Sequence, residues 1–109
     1  MTKVGIIGVG KVGSAIAYSM LFHPSVDTIM LTDKNQKLCQ AEIQDLLAAK
    51  YLLKKDVKII QSGDNLRGCD YVFVCAGLSR KNSKENNRVM WEANIGMMRN
   101  IYRSLRKET

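Results

Sequence analysis

Short apolar runs alternate with amphipathic stretches along the first half of the chain, and this alternation predicts strands separated by helices. An apolar run at residues 4–8 predicts a buried strand, and helically spaced apolar residues from 11 to about 22 predict a helix that stops before Pro24. A second strand is predicted at 28–32 and a second helix at about 36–49. The apolar residues expected largely on one face of that helix are Leu38, Ile43, Leu46 and Leu47.

The second half of the chain continues the pattern and then becomes polar. Residues 57–61 predict a third strand, 62–65 a turn, and the almost wholly apolar run 70–76 a fourth strand of the kind found in the centre of a parallel sheet. The segment 79–87 carries no apolar side chain and is expected to be a solvated loop, followed by a long helix at 89–107.

These elements predict an α/β fold of the Rossmann type, with a doubly wound parallel sheet. Right-handed crossovers arrange the predicted strands in the order 3-2-1-4, with helices on the faces of the sheet. The first and fourth strands diverge at a switch point, and ligands of such sheets bind there, beyond the carboxyl ends of the strands.

A glycine-rich turn joins the first strand to the first helix. Gly8, Gly10 and Gly13 form the pattern G-x-G-x-x-G, and the second strand ends in Asp33, twenty residues past the last glycine. Glycine suits the bend, the close approach of a pyrophosphate and the packing of helix on sheet, while a terminal acid accepts hydrogen bonds from adenosine ribose hydroxyls. We predict a dinucleotide site that favours NAD, because a carboxylate would repel the 2′-phosphate of NADP. The alternative is a purely structural turn.

Length and composition narrow the class of protein. With 109 residues, 46% of them hydrophobic, the chain is expected to form one domain over residues 1–109. It has no apolar run of roughly 18 residues and no leader-like amino terminus, so we expect a cytoplasmic protein without a membrane partner. The cysteines at 39, 69 and 75 are odd in number and lack C-x-x-C spacing, which fits a reducing compartment and argues against a metal site.

The formal net charge of +7 raises the question of nucleic-acid binding. The basic residues are spread through the chain, and their densest group lies near the end of the last predicted helix, where cations complement the helix dipole. That group comprises Arg99, Arg103, Arg106 and Lys107. We therefore predict no nucleic-acid partner.

Several segments, in their order and spacing, resemble the amino-terminal domain of the lactate/malate dehydrogenase family. They are KVGIIGVGKVGSAIAYSM, TIMLTD, AEIQDLLAA, SGD, DYVFVCAG and NIGMMRNI. The likeness covers nearly the whole chain, and VCAG resembles the signature at the end of the family's fourth strand. The resemblance implies an NAD cofactor and a substrate domain that these residues lack.

The resemblance also implies a set of cofactor-binding positions around the glycine turn. The backbone at Lys11 and Val12 would face the pyrophosphate, and Asp33 would hold the adenosine ribose. The remaining implied positions are Cys75, Ala76, Gly77 and Leu78 past the nicotinamide-side ribose, Asn94 near the cofactor and Asn65 beside the adenine. The alternatives are that Ala76 and Gly77 only end a strand, that Asn94 is only a polar helix residue, and that Asn65 only forms a turn.

The loop after Gly77 matches the family's mobile lid, which closes on the substrate. Arg80 falls where malate-type members carry an arginine that pairs with a second carboxylate, and Arg88 is the candidate for the arginine that polarises the substrate carbonyl. The two lie eight residues apart, farther than the family's lid positions. This spacing weakens the inference of malate, and Arg80 is alternatively a solvated loop charge.

The resemblance identifies the chain as the NAD-binding domain of an L-2-hydroxyacid dehydrogenase, which transfers hydride between a 2-hydroxy acid and NAD. The proton-exchanging histidine, its aspartate and the carboxylate-binding arginine belong to the family's second half, and the one histidine here, His23, ends the first helix. We expect a longer parent enzyme, a fragment inactive alone, and lactate as the favoured substrate over malate or a branched-chain 2-hydroxy acid. The alternative of another class is a non-catalytic nucleotide-sensing module. We also expect a homo-oligomer, and we expect the isolated chain to self-associate because the strand at 70–76 has no later strand within these residues to cover its outer edge.

Overall fold

Parallel strands form the sheet of the computed structural model, which describes residues 1–63 and 66–75 together with Arg99. The strands are β1 (Thr2–Ile7), β2 (Val26–Thr32), β3 (Lys58–Gln61) and β4 (Tyr71–Val74). They lie in the order β3-β2-β1-β4, and every neighbouring pair is parallel. The predicted Rossmann-type order is confirmed.

The two helices of the described residues are the crossovers between these strands. Helix α1 (Lys11–Met20) joins β1 to β2, and helix α2 (Gln36–Leu53) joins β2 to β3. The helices contact each other, so they lie on the same face of the sheet. The helix predicted at 89–107 lies outside the described residues apart from Arg99, which is helical and exposed.

Helix α1 is shorter than predicted because its last turn tightens. The amide groups of residues 21, 22 and 23 each bond to a carbonyl three residues earlier, at 3.1–3.2 Å. This spacing replaces the α-helical pattern ahead of Pro24, since the residue before a proline is excluded from helical geometry.

Helix α2 is longer than predicted, and its buried face contains Ile43 and Leu46 of the four predicted residues. Residues 50–53 are good helix formers with no breaker among them, and the helix ends at Lys54, which takes the left-handed conformation with φ 55°. The buried residues are Cys39, Ile43 and Leu46, whereas Leu38 and Leu47 are exposed. The expectation for those two leucines was therefore wrong.

The core lies between the two central strands and the two helices. Its fully buried side chains come from alternate positions of β1 and β2 and from the helix faces that cover them; the largest are Ile6, Leu21, Ile29, Leu31 and Leu46. Strand β4 lies at the edge of the described sheet and is half-exposed, with Tyr71 65% and Val74 36% exposed. The sequence predicted an apolar strand whose outer edge no later strand covers, and in the described sheet β4 has a neighbour on one side, β1.

The left-handed end of α2 gives a test of the local geometry. We expect Lys54→Gly to raise the free energy of unfolding by about 0.5–1 kcal/mol, because glycine adopts a positive φ without the steric cost that a side chain adds. Urea denaturation would measure the change. The matched control is Lys55→Gly, at a position without a positive φ. There glycine should give no gain, and an equal rise in both variants would contradict the argument.

Candidate functional site

The glycine turn lies at the carboxyl edge of the sheet, between the ends of β2 and β4. Gly8 follows β1 with φ 93°, a conformation that residues with side chains rarely adopt. Its amide donates to the carbonyl of Thr32 at 2.9 Å, and the amide of Cys75 donates to the carbonyl of Ile7 at 2.7 Å. The turn is therefore anchored to both neighbouring strands.

The other two glycines of the turn have different spatial requirements. A Cβ atom at Gly13 would lie 1.8 Å from the carbonyl oxygen of Gly8, so any side chain there would push α1 away from β1. A Cβ atom at Gly10 would meet no heavy atom within 4 Å. Gly13 thus serves packing, while the open space at Gly10 allows another molecule to approach the backbone closely.

The amino terminus of α1 is left open, in contrast to that of α2. Gly10 caps α1 without a side-chain hydrogen bond, and the first turn contains no acidic residue. The amide of Ser14 is the first to reach back along the helix, to the carbonyl of Gly10 at 2.9 Å. The earlier amides, those of Lys11 and Val12 among them, have no acceptor within the helix, and the helix dipole adds partial positive charge there. This end of α1 is suited to an anion such as a phosphate.

Helix α2 begins differently, since Asn35 accepts the amide hydrogen of Leu38 at 3.1 Å through its side chain. The cap satisfies a donor that would otherwise face solvent or a ligand. Of the two described helices, α1 is therefore the one whose first turn is free of a side-chain cap.

Asp33 lies immediately after β2, beside the glycine turn. Its Oδ2 atom accepts the amide hydrogen of Val9 at 2.8 Å, and its Oδ1 atom accepts that of Asn35 at 2.8 Å. A carboxylate offers about four lone-pair positions, so each oxygen keeps capacity for a further donor such as a hydroxyl group. The sequence indicated a ligand-binding role for Asp33 but not its bond to the turn, because no residue pattern encodes which amide a carboxylate meets across the sheet.

Two cysteines near the site are held as neutral thiols. Burial raises the pKa of Cys39 above its ordinary value, and the negative charges of Asp33 and then Glu42 raise it further. Burial alone raises the pKa of Cys75. A raised pKa keeps a thiol protonated near neutral pH, so neither sulfur has the properties of a nucleophile.

The structure brings together one part of the predicted site. The residues that meet at the carboxyl edge are Gly8, Gly10, Lys11, Val12, Gly13, Asp33 and Cys75. The other predicted residues lie outside the described residues; they are Asn65, Ala76, Gly77, Leu78, Arg80, Arg88 and Asn94. His23 lies at the opposite end of α1 from the glycine turn, about 15 Å along a helix of this length.

Across residues 1–63 and 66–75, no three side chains of the metal-binding types come together as a candidate metal site. None of the helices in the same part is long and apolar enough to cross a membrane.

The matching family model and the similar curated proteins point to the same family. Residues 2–109 match the family described as lactate/malate dehydrogenase, NAD binding domain. The chain is 38% identical over 81 residues to a malate dehydrogenase of Archaeoglobus fulgidus, covering 72% of this chain and 28% of that protein. It is 35% identical over 101 residues to L-lactate dehydrogenase 2 of Lactococcus lactis, covering 91% of this chain and 32% of that protein. The chain thus spans about a third of the length of these relatives.

Solved structures of malate and L-lactate dehydrogenases share the fold of this chain. The malate dehydrogenase of Archaeoglobus fulgidus in complex with NADH superposes with a TM-score of 0.90 at 30% identity, over 99% of this chain and 37% of that one. The ligand-bound minor L-lactate dehydrogenase of Enterococcus mundtii superposes with a TM-score of 0.88 at 25% identity, over 98% of this chain and 34% of that one. The prediction of an NAD cofactor is confirmed for the family.

The contrast between two glycines of the turn can be tested by the same substitution at each. We expect Gly13→Ala to lower the free energy of unfolding by about 3 kcal/mol or more, because the added Cβ atom collides with backbone rather than with a flexible side chain. Gly10→Ala should change it by less than about 1 kcal/mol, since its φ of −69° suits alanine and the space is open. Chemical denaturation measures both, and similar losses would contradict the assignment.

Proposed function

Because this chain belongs to the lactate/malate dehydrogenase family as its NAD-binding domain, we propose that it binds NAD across the carboxyl edge described above. The pyrophosphate lies at the open end of α1, over Gly10 and against the amides of Lys11 and Val12. The adenosine ribose lies on Asp33. The observation that carries this proposal is the 2.8 Å bond from the Val9 amide to Asp33, since it holds the carboxylate beside the amino terminus of α1.

The residues present fit the cofactor in charge and in shape. Uncapped amides with partial positive charge face an anionic pyrophosphate, and the absence of a side chain at Gly10 leaves room for its oxygens. The carboxylate of Asp33 keeps lone pairs for two ribose hydroxyl donors and disfavours a phosphate in place of either.

The nicotinamide half of the proposed site rests on the resemblance rather than on the described geometry. Cys75 is the exception, because its amide joins the end of β4 to β1 beside the glycine turn. The positions proposed to continue the cofactor site are Ala76, Gly77, Leu78 and Asn94, with Asn65 beside the adenine.

We propose that the parent protein is an L-2-hydroxyacid dehydrogenase. NAD, when bound, supplies the hydride acceptor for oxidation of the 2-hydroxy acid. Arg88 is proposed to polarise the substrate carbonyl, and Arg80 to contact the substrate. Lactate or a related monocarboxylate is the favoured substrate, with malate and branched-chain 2-hydroxy acids as alternatives. The relatives named above are enzymes, which favours a catalytic protein over a nucleotide-sensing module.

The length, assembly, partners and location of the whole protein are also proposals. We place residues 1–109 as the amino-terminal cofactor domain of a longer, homo-oligomeric enzyme that does not bind nucleic acid. We propose a cytoplasmic location because the cysteines, odd in number and without C-x-x-C spacing, fit a reducing compartment.

The assignment of Asp33 predicts selectivity between the two nicotinamide cofactors. We expect the chain to bind NADH at least about tenfold more tightly than NADPH, because the carboxylate repels the 2′-phosphate. Asp33→Ala and Asp33→Asn should both bring the ratio of affinities to within about threefold. Asn keeps one oxygen, which can accept the amide hydrogen of Val9, and loses the acceptor for that of Asn35, so this variant removes the charge while disturbing the turn less than Asp33→Ala does. Fluorescence titration of the reduced cofactors measures each affinity.

The matched control for this experiment is Asp27→Asn, which removes the same charge at the other end of β2. That variant should keep the selectivity of the unmodified chain. Equal affinity of the unmodified chain for NADH and NADPH would remove Asp33 from its proposed role.

The catalytic residues of the family that have no match in this sequence determine what we expect of the 109-residue chain in an enzyme assay. We expect no oxidation of NADH with pyruvate, oxaloacetate or 2-ketoisocaproate, because the proton-exchanging histidine and the carboxylate-binding arginine of the family have no match in this sequence. Absorbance at the NADH band would follow the reaction, with a full-length malate dehydrogenase as positive control. Turnover by the chain alone would show that these residues are not needed.

A further inference from the structure

The end of β2 carries a second set of contacts that the cofactor assignment does not use. The carbonyl of Leu31 accepts the amide hydrogen of Ser62 at 2.8 Å, and the hydroxyl of the next residue, Thr32, donates to the carbonyl of Gly63. These bonds join the end of β2 to the segment that follows β3, Ser62–Gly63, which we call the β3 loop. Two successive residues of β2 therefore hold two successive residues of the loop.

Packing does not hold the far residue of this loop. Gly63 is exposed, and a Cβ atom built on it would meet no heavy atom within 4 Å. Its position therefore depends on hydrogen bonding, in which the hydroxyl of Thr32 takes part. A second, longer bond joins the same edge of the sheet to α2, from the side-chain amide of Gln61 to the carbonyl of Gln36 at 3.5 Å.

Thr32 also holds the glycine turn, which lies on the other side of the end of β2. Its carbonyl accepts the amide hydrogen of Gly8 at 2.9 Å, and its neighbour Asp33 accepts that of Val9. The backbone of Thr32 thus anchors the glycine turn while its side chain anchors the β3 loop. One residue therefore connects the glycine turn and the β3 loop, which flank the end of β2.

The order of the sheet determines which part of a bound dinucleotide the β3 loop would meet. A pyrophosphate at the β1–α1 turn and a ribose at the end of β2 define a direction across the sheet, from β1 towards β2 and then β3. The group attached to the far side of that ribose is the adenine base. It must therefore lie over the edge formed by β2 and the β3 loop.

We propose that the Thr32 hydroxyl is a positioning group for adenosine binding, which sets the distance between the glycine turn and the β3 loop. This inference rests on the proposed function, because it assumes that the ribose lies on Asp33. Thr32 acts through the loop and does not contact the reacting atoms. Loss of its hydroxyl should weaken binding of the adenosine part and leave binding of the pyrophosphate part unchanged.

The test compares Thr32→Val, which keeps the branched shape but removes the donor, with Thr32→Ser, which keeps the donor. The probes are NADH, followed by fluorescence, and AMP and inorganic pyrophosphate, followed by amide chemical shifts of the labelled chain. We expect Thr32→Val to weaken AMP and NADH by about three- to tenfold, the effect of one lost hydrogen bond, without changing pyrophosphate affinity. Thr32→Ser should stay within about twofold of the unmodified chain for all three.

The matched control is Thr28→Val, the same substitution at a buried position near the start of the same strand. It should leave the affinities for AMP, NADH and pyrophosphate unchanged. Hydrogen exchange of the Ser62 amide gives an independent readout, which should accelerate in Thr32→Val while that of the Gly8 amide stays as it was. If Thr32→Val does not fold, Thr32→Ala serves for the same comparison.

The possible failures are distinguishable. Unchanged AMP affinity in Thr32→Val would overturn the role of the hydroxyl while leaving the proposed cofactor site intact. Equal losses for AMP and pyrophosphate would overturn it too, since they would show a general structural effect. An unmodified chain that binds neither NADH nor AMP would instead refute the proposed function on which the inference depends.

Discussion

The close approach of helix α1 to strand β1 is the constraint on which the site depends. At Gly13 the helix passes so near the carbonyl of Gly8 that a Cβ atom would lie 1.8 Å from its oxygen. This approach sets where α1 begins and therefore where its unpaired amides lie relative to the ends of the strands. A helix held farther from the sheet would no longer bring its amino terminus beside Asp33.

A network of hydrogen bonds then organises the carboxyl edge around the last residues of β2. Thr32 accepts from Gly8 through its carbonyl and donates to Gly63 through its hydroxyl, while Asp33 accepts from Val9 and Asn35. The strand end thus contacts the glycine turn, the β3 loop and the start of α2. These bonds link the glycine turn, the β3 loop and the start of α2 to one another. The groups at this edge are therefore held in position before any ligand binds.

The proposed site covers the part of a dinucleotide that carries charge and hydroxyl groups. It is built from backbone amides and one carboxylate, and its two nearby thiols are kept neutral by burial. The malate and L-lactate dehydrogenases to which the chain is similar are about three times as long as this chain.

The sequence by itself determined the order of elements, the strand order and the glycine turn with Asp33, because alternation of apolar runs and the requirement for glycine at fixed offsets are local properties. It did not determine which face of α2 is buried, since Leu38 and Cys39 differ by one position and the choice depends on how the helix docks on the sheet. Nor did it determine that Asp33 bonds to Val9 or that Thr32 bonds to Gly63, residues 24 and 31 positions apart along the chain. Those contacts exist because parallel strands bring their carboxyl ends to one edge, and only the tertiary structure decides which donors and acceptors meet there.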